Sequence, residues 1–97
     1  MPHLIVTEAA QADLRRLRHF LISKNPRAAG RALDAIRRHV RMLAVTPEVG
    51  RPVPDSRWRE LIIPFADAGY VALYRHDMDD DCVVISAIRH QKEAGFG

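Results

Sequence analysis

The sequence predicts an α+β fold in the order β-α-α-β-β-β, a helical hairpin packed on an antiparallel sheet. Two long segments on either side of Asn25-Pro26 repeat apolar residues at helical spacing, and three later runs are rich in Val, Ile, Leu and aromatics. Between them lies a proline-rich connector, where the pattern changes from helical to extended.

His3-Leu4-Ile5-Val6-Thr7 is a short apolar run ending in a helix-capping residue, so a strand is expected to lead into a helix starting at Glu8. No Gly or Pro interrupts the chain from there to Lys24, and Ala10, Leu14, Leu17 and Leu21, with Phe20 beside them, share one face. Arg15, Arg16, Arg18 and His19 occupy the other side. Asn25-Pro26 ends this helix and starts a second, because a residue before proline leaves the helical region and Asn caps a helix with Pro in its first turn. The second helix is expected over 26–45, with Ala29, Leu33, Ile36, Val40 and Leu43 on its apolar face. Arg27, Arg31, Asp34, Arg38 and Arg41 form its solvent stripe. Residues 46–56 hold three prolines and a glycine and are expected to lack regular structure. Strands follow at 59–65, 70–75 and 83–89, separated by Ala66-Asp67-Ala68-Gly69 and by the acidic turn Asp77 to Asp81. Pro64 suits an edge or a bulge.

At 97 residues with 47% hydrophobic content, residues 1–97 are expected to form one domain that needs neither disulfide nor structural metal. Cys82 has no partner in the chain, which suits a reducing compartment. The opening apolar run is too short for a secretory signal, and no stretch approaches the ~20 apolar residues of a membrane helix, so a cytoplasmic protein is expected. Charge is divided. Residues 1–59 carry 12 Lys/Arg against 5 Asp/Glu, or +7, whereas residues 60–97 carry 3 against 7, or −4. A basic helical half of this kind fits an acidic protein surface or peptide as well as nucleic acid.

Most catalytic and metal patterns fail on spacing. Asp77, Asp79 and Asp81 begin like a calcium loop, but Cys82 stands where its glycine belongs and Ile88 where its bidentate acid belongs. His3, His19, His39, His76 and His90 show no zinc spacing, Ser86 lacks the glycines of a nucleophile elbow, and no phosphate-binding glycine loop exists. No metal or cofactor is implied. What remains is Arg57-Trp58-Arg59-Glu60 entering the first hairpin strand, Arg75 late in the second, and Arg89-His90 late in the third. Arg75 and Arg89 either pair with the acidic turn or serve recognition, and Trp58 is either a core plug or an anchor.

These residues and their order resemble the ParE/RelE superfamily of toxins from bacterial type II toxin–antitoxin modules, on its ParE branch. The match rests on Ala10-x-x-Asp13-Leu14, Asn25-Pro26-x-Ala28, Pro47-x-x-Gly50-Arg51-Pro52-Val53 and Arg59-Glu60-Leu61. It continues through Gly69-Tyr70-Val71-x-x-Tyr74-Arg75 and Ile88-Arg89-His90-Gln91-x-Glu93-Ala94-Gly95-Phe96. The resemblance implies a RelE/ParE-like fold and a ParD-like antitoxin whose acidic C-terminal segment lies along the toxin. Leu14, Leu17, Phe20, Leu21, Leu33, Ile36 and Arg37 are the expected antitoxin contacts. Arg57, Trp58, Arg59, Tyr74, Arg75, Arg89, His90 and Phe96 are left for the target.

The resemblance implies two activities. RelE-like members cleave messenger RNA in the ribosome, whereas ParE-like members inhibit DNA gyrase without catalysis. RelE-like nucleases place an arginine after the Gly-Tyr of the second hairpin strand, a basic residue near the end of the last strand, and a C-terminal tyrosine. Here those positions are Val71, His90 and Phe96, so only His90 can take part in acid–base chemistry. The expectation is therefore a gyrase inhibitor without enzymatic activity, touching DNA only through gyrase or antitoxin. A ribosome-dependent endoribonuclease using His90, Arg89 and Arg75 is the alternative, and a non-toxic binding module with the same fold is a second alternative.

Overall fold

A computed structural model of the chain describes residues 1–93. Its elements are β1 (His3–Val6), α1 (Glu8–Lys24), α2 (Pro26–Met42), β2 (Arg51–Pro52), β3 (Arg59–Phe65), β4 (Ala68–Asp77) and β5 (Cys82–His90). The five strands form one sheet in the order β1-β5-β4-β3-β2.

The helix ends form as their capping residues dictate. Thr7 Oγ1 accepts the Ala10 N–H at 3.2 Å, and Asn25 serves both helices: its N–H donates to the Leu21 carbonyl and its Oδ1 accepts the Ala28 N–H. α2 stops at Met42, three residues before the expected end. Leu43, Ala44 and Val45 donate to carbonyls only three residues back, and Pro47 keeps Thr46 out of the helical region. Arg27, Arg31, Asp34, Arg38 and Arg41 are exposed as their spacing requires, and Asp34 pairs with Arg37 at 3.5 Å.

Two strand assignments need correction. β1 joins the sheet parallel to β5, pairing His3 with Cys82 through Val6 with Ile85, so the sheet is mixed rather than antiparallel. The connector also contributes a strand: Arg51 and Pro52 pair with Glu60 and Arg59. Proline is tolerated there because β2 is a sheet edge and its missing N–H deprives no neighbour. The first hairpin turn is tighter than expected, with Ala66 and Asp67 alone between the paired Phe65 and Ala68. Gly69 belongs to β4, not to the turn, at φ 142°.

Both helices cover one face of the sheet. Leu17, Ala32, Ile36 and Leu43 pack there against Leu61, Ile63, Tyr70, Tyr74, Ile85 and Ile88 in a single cluster. Among the described residues no helix covers the opposite face; Ile62, Val71, Leu73 and Val84 lie on it, as the alternation of the register requires. One irregularity changes which way the end of β5 faces. Leu73 pairs with Ala87 but Tyr74 with Ile85, so Ser86 is an extra residue that bulges β5. Before the bulge Val83 and Ile85 face the helices; after it Ile88 and His90 do, and Arg89 turns to the open face.

Candidate functional site

The far end of β5 is held by α1 rather than by a strand. β1 ends at Val6, opposite Ile85, so among the described residues the outer edge of β5 beyond Ile85 has no strand partner. Thr7 donates through its N–H and its hydroxyl to the Ile85 carbonyl, at 3.1 and 3.0 Å. Asp13 Oδ2 accepts the Ile88 N–H at 2.9 Å, and Arg16 Nη2 reaches the Ile88 carbonyl at 3.5 Å. Glu93 closes the series. Its Oε1 accepts the His90 N–H at 2.9 Å while its Oε2 pairs with Arg16 Nη1 at 2.9 Å. Side chains thus satisfy the backbone groups of β5 as a further strand would, and this is the part that Asp13 of the Ala10-x-x-Asp13-Leu14 sequence plays. The helical spacing of Arg16 marked it only as a solvent residue, and nothing in that spacing showed that it reaches β5.

Two outcomes are expected here. Asp13→Ala leaves the part-buried Ile88 N–H without an acceptor and should cost about 1–3 kcal/mol, measured by urea unfolding. Burial pushes the Glu93 carboxyl up, but the His90 N–H and Arg16 outweigh it and hold the carboxyl below its ordinary value. A lowered folded pKa contributes stability that is present above the unfolded value and lost as pH falls. Amide exchange at His90 should therefore accelerate as pH drops from about 5 towards about 3, beyond the intrinsic trend of an unstructured peptide.

His90 lies on the helix side. Its ring meets Tyr70 edge-on at 5.3 Å between centroids, and its Nδ1 accepts the Lys92 N–H at 3.1 Å, which fixes the neutral ring as the Nε2–H tautomer. It borders a groove of about 600 Å³ lined by Leu17, Phe20, Leu21 and Tyr70, with Arg16, Lys92 and the carboxylate of Glu93 supplying charge of both signs. Phe20 is 57% exposed at this groove. A second slot of about 220 Å³ lies between α2 and the β1–β5 pair, lined by Leu4, Val6, Leu14, Ile36 and the two arginines Arg37 and Arg41.

Arg75 and Arg89 stand on the open face. Arg89 is opposite Val71, four residues from Arg75 along β4, a separation of roughly 13 Å. Arg75 pairs with Asp77 at 3.2 Å and lies over the Trp58 ring, 5.8 Å from its centroid. Arg89 reaches the carbonyls of His90 and Gln91. The pairing with the acidic turn thus holds for Arg75, whereas Arg89 bonds to its own strand end. The Asp80 N–H, then Arg75, hold the Asp77 carboxyl below its ordinary range, so this part of the turn serves structure. Cys82 is buried beside it; burial and then Asp77 and Asp80 push its thiol up, which disfavours a reactive thiolate.

Several expected contacts are placed otherwise. Tyr74 is fully buried, its hydroxyl accepting the Gly50 N–H at 2.8 Å, so it cannot touch a target. Arg59 spends its guanidinium on the Glu48 and Gly50 carbonyls and thereby ties the connector to β3. Leu33 is core, because the α2 stripe faces the sheet rather than a partner. Arg57 is exposed and Trp58 half-buried. Phe96 lies outside the described residues. His90 and the two arginines are not brought together, since they occupy opposite faces.

A helical hairpin over one face of a small mixed sheet is an arrangement that this chain shares with solved toxin–antitoxin proteins. A chain from the chromosomal ParDE toxin–antitoxin system of P. aeruginosa superposes with a TM-score of 0.75 at 24% identity, covering 93% of this chain and 96% of that one. A chain from the RelBE2 toxin–antitoxin complex of Mycobacterium tuberculosis gives 0.65 at 24% identity, over 94% and 100%. In sequence, toxin RelE3 of Caulobacter vibrioides is 40% identical over 87% of this chain and 88% of its own length. Toxin RelE1 of the same organism is 35% identical over 74% and 76%. Residues 4–95 match the model of the ParE toxin of the type II toxin–antitoxin system parDE, and the chain belongs to that family. It is a type II toxin of the ParE/RelE superfamily.

Proposed function

We propose that this toxin inhibits DNA gyrase by stoichiometric binding, without catalysis, and is silenced by a ParD-like antitoxin with an acidic C-terminal segment. The observation that carries this reading is the opposite orientation of the candidate nuclease residues. His90 borders the helix-side groove, and the sheet separates it from Arg75 and Arg89. General acid–base catalysis brings such groups within hydrogen-bond reach of one phosphodiester, and placement on opposite faces of the sheet supports binding over cutting. Each arginine is held in place by neighbouring groups, Arg75 by the Asp77 carboxylate and Arg89 by backbone carbonyls, which suits a fixed polar face for docking. Trp58, Arg75 and Arg89 are the proposed target contacts, with exposed Arg57 beside Trp58 in sequence. The antitoxin is assigned the helical side, where Phe20 and Leu21 border one opening and Leu14 and Arg37 the other, with the buried Leu17 and Ile36 at their floors.

Purified toxin added at saturation to a gyrase supercoiling reaction should abolish the supercoiled product, and unchanged supercoiling removes the reading. The relatives named RelE, up to 40% identical, favour a second reading as a ribosome-dependent endoribonuclease. Primer extension on messages from a translation reaction separates the two. Toxin-dependent cuts that vanish in His90→Ala belong to the second reading alone. Unchanged growth of a bacterial host on induction would leave only a non-toxic binding module.

A further inference from the structure

The outer face of α2 carries a row of arginines that the fold does not use. Arg27, Arg31 and Arg38 stand at i, i+4 and i+11, all exposed, within about 40° of one another around the axis and over a length of roughly 16 Å. Among the described residues none of the three has a carboxylate partner. Asp34 is the one carboxylate of α2, and Arg37 pairs with it at 3.5 Å. α1 packs alongside and adds exposed Arg15 and Arg18, equally without a carboxylate partner among the described residues.

Two residues of this face run against helix stability. Gly30 is exposed in mid-helix, about 60° from Arg27 around the axis, where glycine is the poorest former after proline; a Cβ there would meet nothing within 4 Å, so packing does not demand its absence. Arg27 lies in a first turn that holds no acid, where the helix dipole disfavours a cation. Both choices suit an anion coming close to the helix, since a bare Cα admits a ligand's backbone and the positive helix end adds to the guanidinium charge. The face also lacks the apolar centre of a protein interface, because α2 exposes no large hydrophobic residue before Met42. Nor does α2 hold a Phe, Tyr or Trp on which unpaired bases could stack. We infer that this face grips the phosphate backbone of duplex DNA directly, its guanidinium groups on phosphates and Gly30 at the point of closest approach. Such contact goes beyond the expected contact through gyrase or antitoxin alone. The choice of DNA rests on the gyrase reading: Trp58, Arg75 and Arg89 lie on the sheet face that the helices leave open, so one toxin can hold gyrase and its DNA on opposite sides.

The probe is a fluorescent DNA duplex of about 24 base pairs, roughly two helical turns, titrated with the full chain and followed by anisotropy. Binding should show a Kd below about 100 µM at about 0.1 M salt, and log K should fall against log salt with a slope of about −4. Arg31→Gln/Arg38→Gln, with unchanged circular dichroism, should weaken binding by at least about tenfold and reduce the slope by about 2. Gly30→Leu, whose side chain enters open space, should not lower the urea midpoint yet should weaken binding by at least about threefold. Unchanged binding in either variant overturns the inference, as does no binding at about 100 µM. So does tighter binding of an RNA duplex of the same sequence, or of polyglutamate, which would mark an acidic protein as the partner. Abolished supercoiling without duplex binding keeps the gyrase reading and overturns this one; duplex binding with the expected slope beside intact supercoiling supports this face and removes the gyrase reading alone.

Discussion

Gly69→Ala should cost this fold about 3–5 kcal/mol, a large share of the roughly 5–15 kcal/mol that holds a domain of this size together. Gly69 adopts φ 142°, a region closed to residues with a Cβ. An added methyl would also collide with the Ile63 carbonyl oxygen and stand 3.0 Å from the Phe65 nitrogen, both backbone atoms of the adjacent strand. Neither can move aside without breaking the β3–β4 ladder. The same residue's carbonyl accepts the Gln91 N–H at 2.9 Å, so distortion here would reach the end of β5 and the His90 groove. Urea unfolding should show the midpoint falling steeply; a midpoint within error of the parent would mean that this backbone conformation is not required.

Tyr74→Ala should cost about 3–5 kcal/mol, and Tyr74→Phe about 1–2 kcal/mol. The ring is fully buried in the centre of the sheet, between Arg59 on β3 and Ile85 on β5, so truncation opens a cavity. Its hydroxyl has a separate task. Burial pushes the Tyr74 phenol above its ordinary pKa, and its hydroxyl oxygen accepts the Gly50 N–H. A Cβ on Gly50 would lie 2.6 Å from the Tyr74 Oη, so this close approach needs glycine. The Phe variant strands that buried N–H and should loosen the connector while sparing the sheet, which amide exchange at Gly50 reads directly. Equal losses in the two variants would show that the hydroxyl, not the ring, carries the effect.

How much of this structure is legible in the sequence depends on how local its causes are. Thr7 and Asn25-Pro26 set helix boundaries within a few residues of themselves, and the hairpin strands announce themselves by composition. The Ser86 bulge does not, because it depends on how β5 pairs with β4. Strict alternation would put Val83, Ile85, Ala87 and Arg89 on one face, and the bulge reverses the last two. Arg89 and His90 therefore stand out in the sequence, but their assignment to opposite sides does not. Tyr74 and Arg59 stand out as polar or aromatic residues near a strand end, whereas tertiary contacts with Gly50 and Glu48 consume them. Asp13 and Arg16 have the pattern of ordinary helix residues, and only the early end of β1 gives them their work.

A gyrase titration carried out with wild-type toxin and with His90→Ala tests most directly the proposal that this toxin acts by binding rather than cutting. Both proteins should abolish supercoiling at an endpoint set by the amount of gyrase present, and neither should cut messages in a parallel translation reaction. The contrary result is intact supercoiling with wild-type toxin alongside message cleavage that His90→Ala has lost.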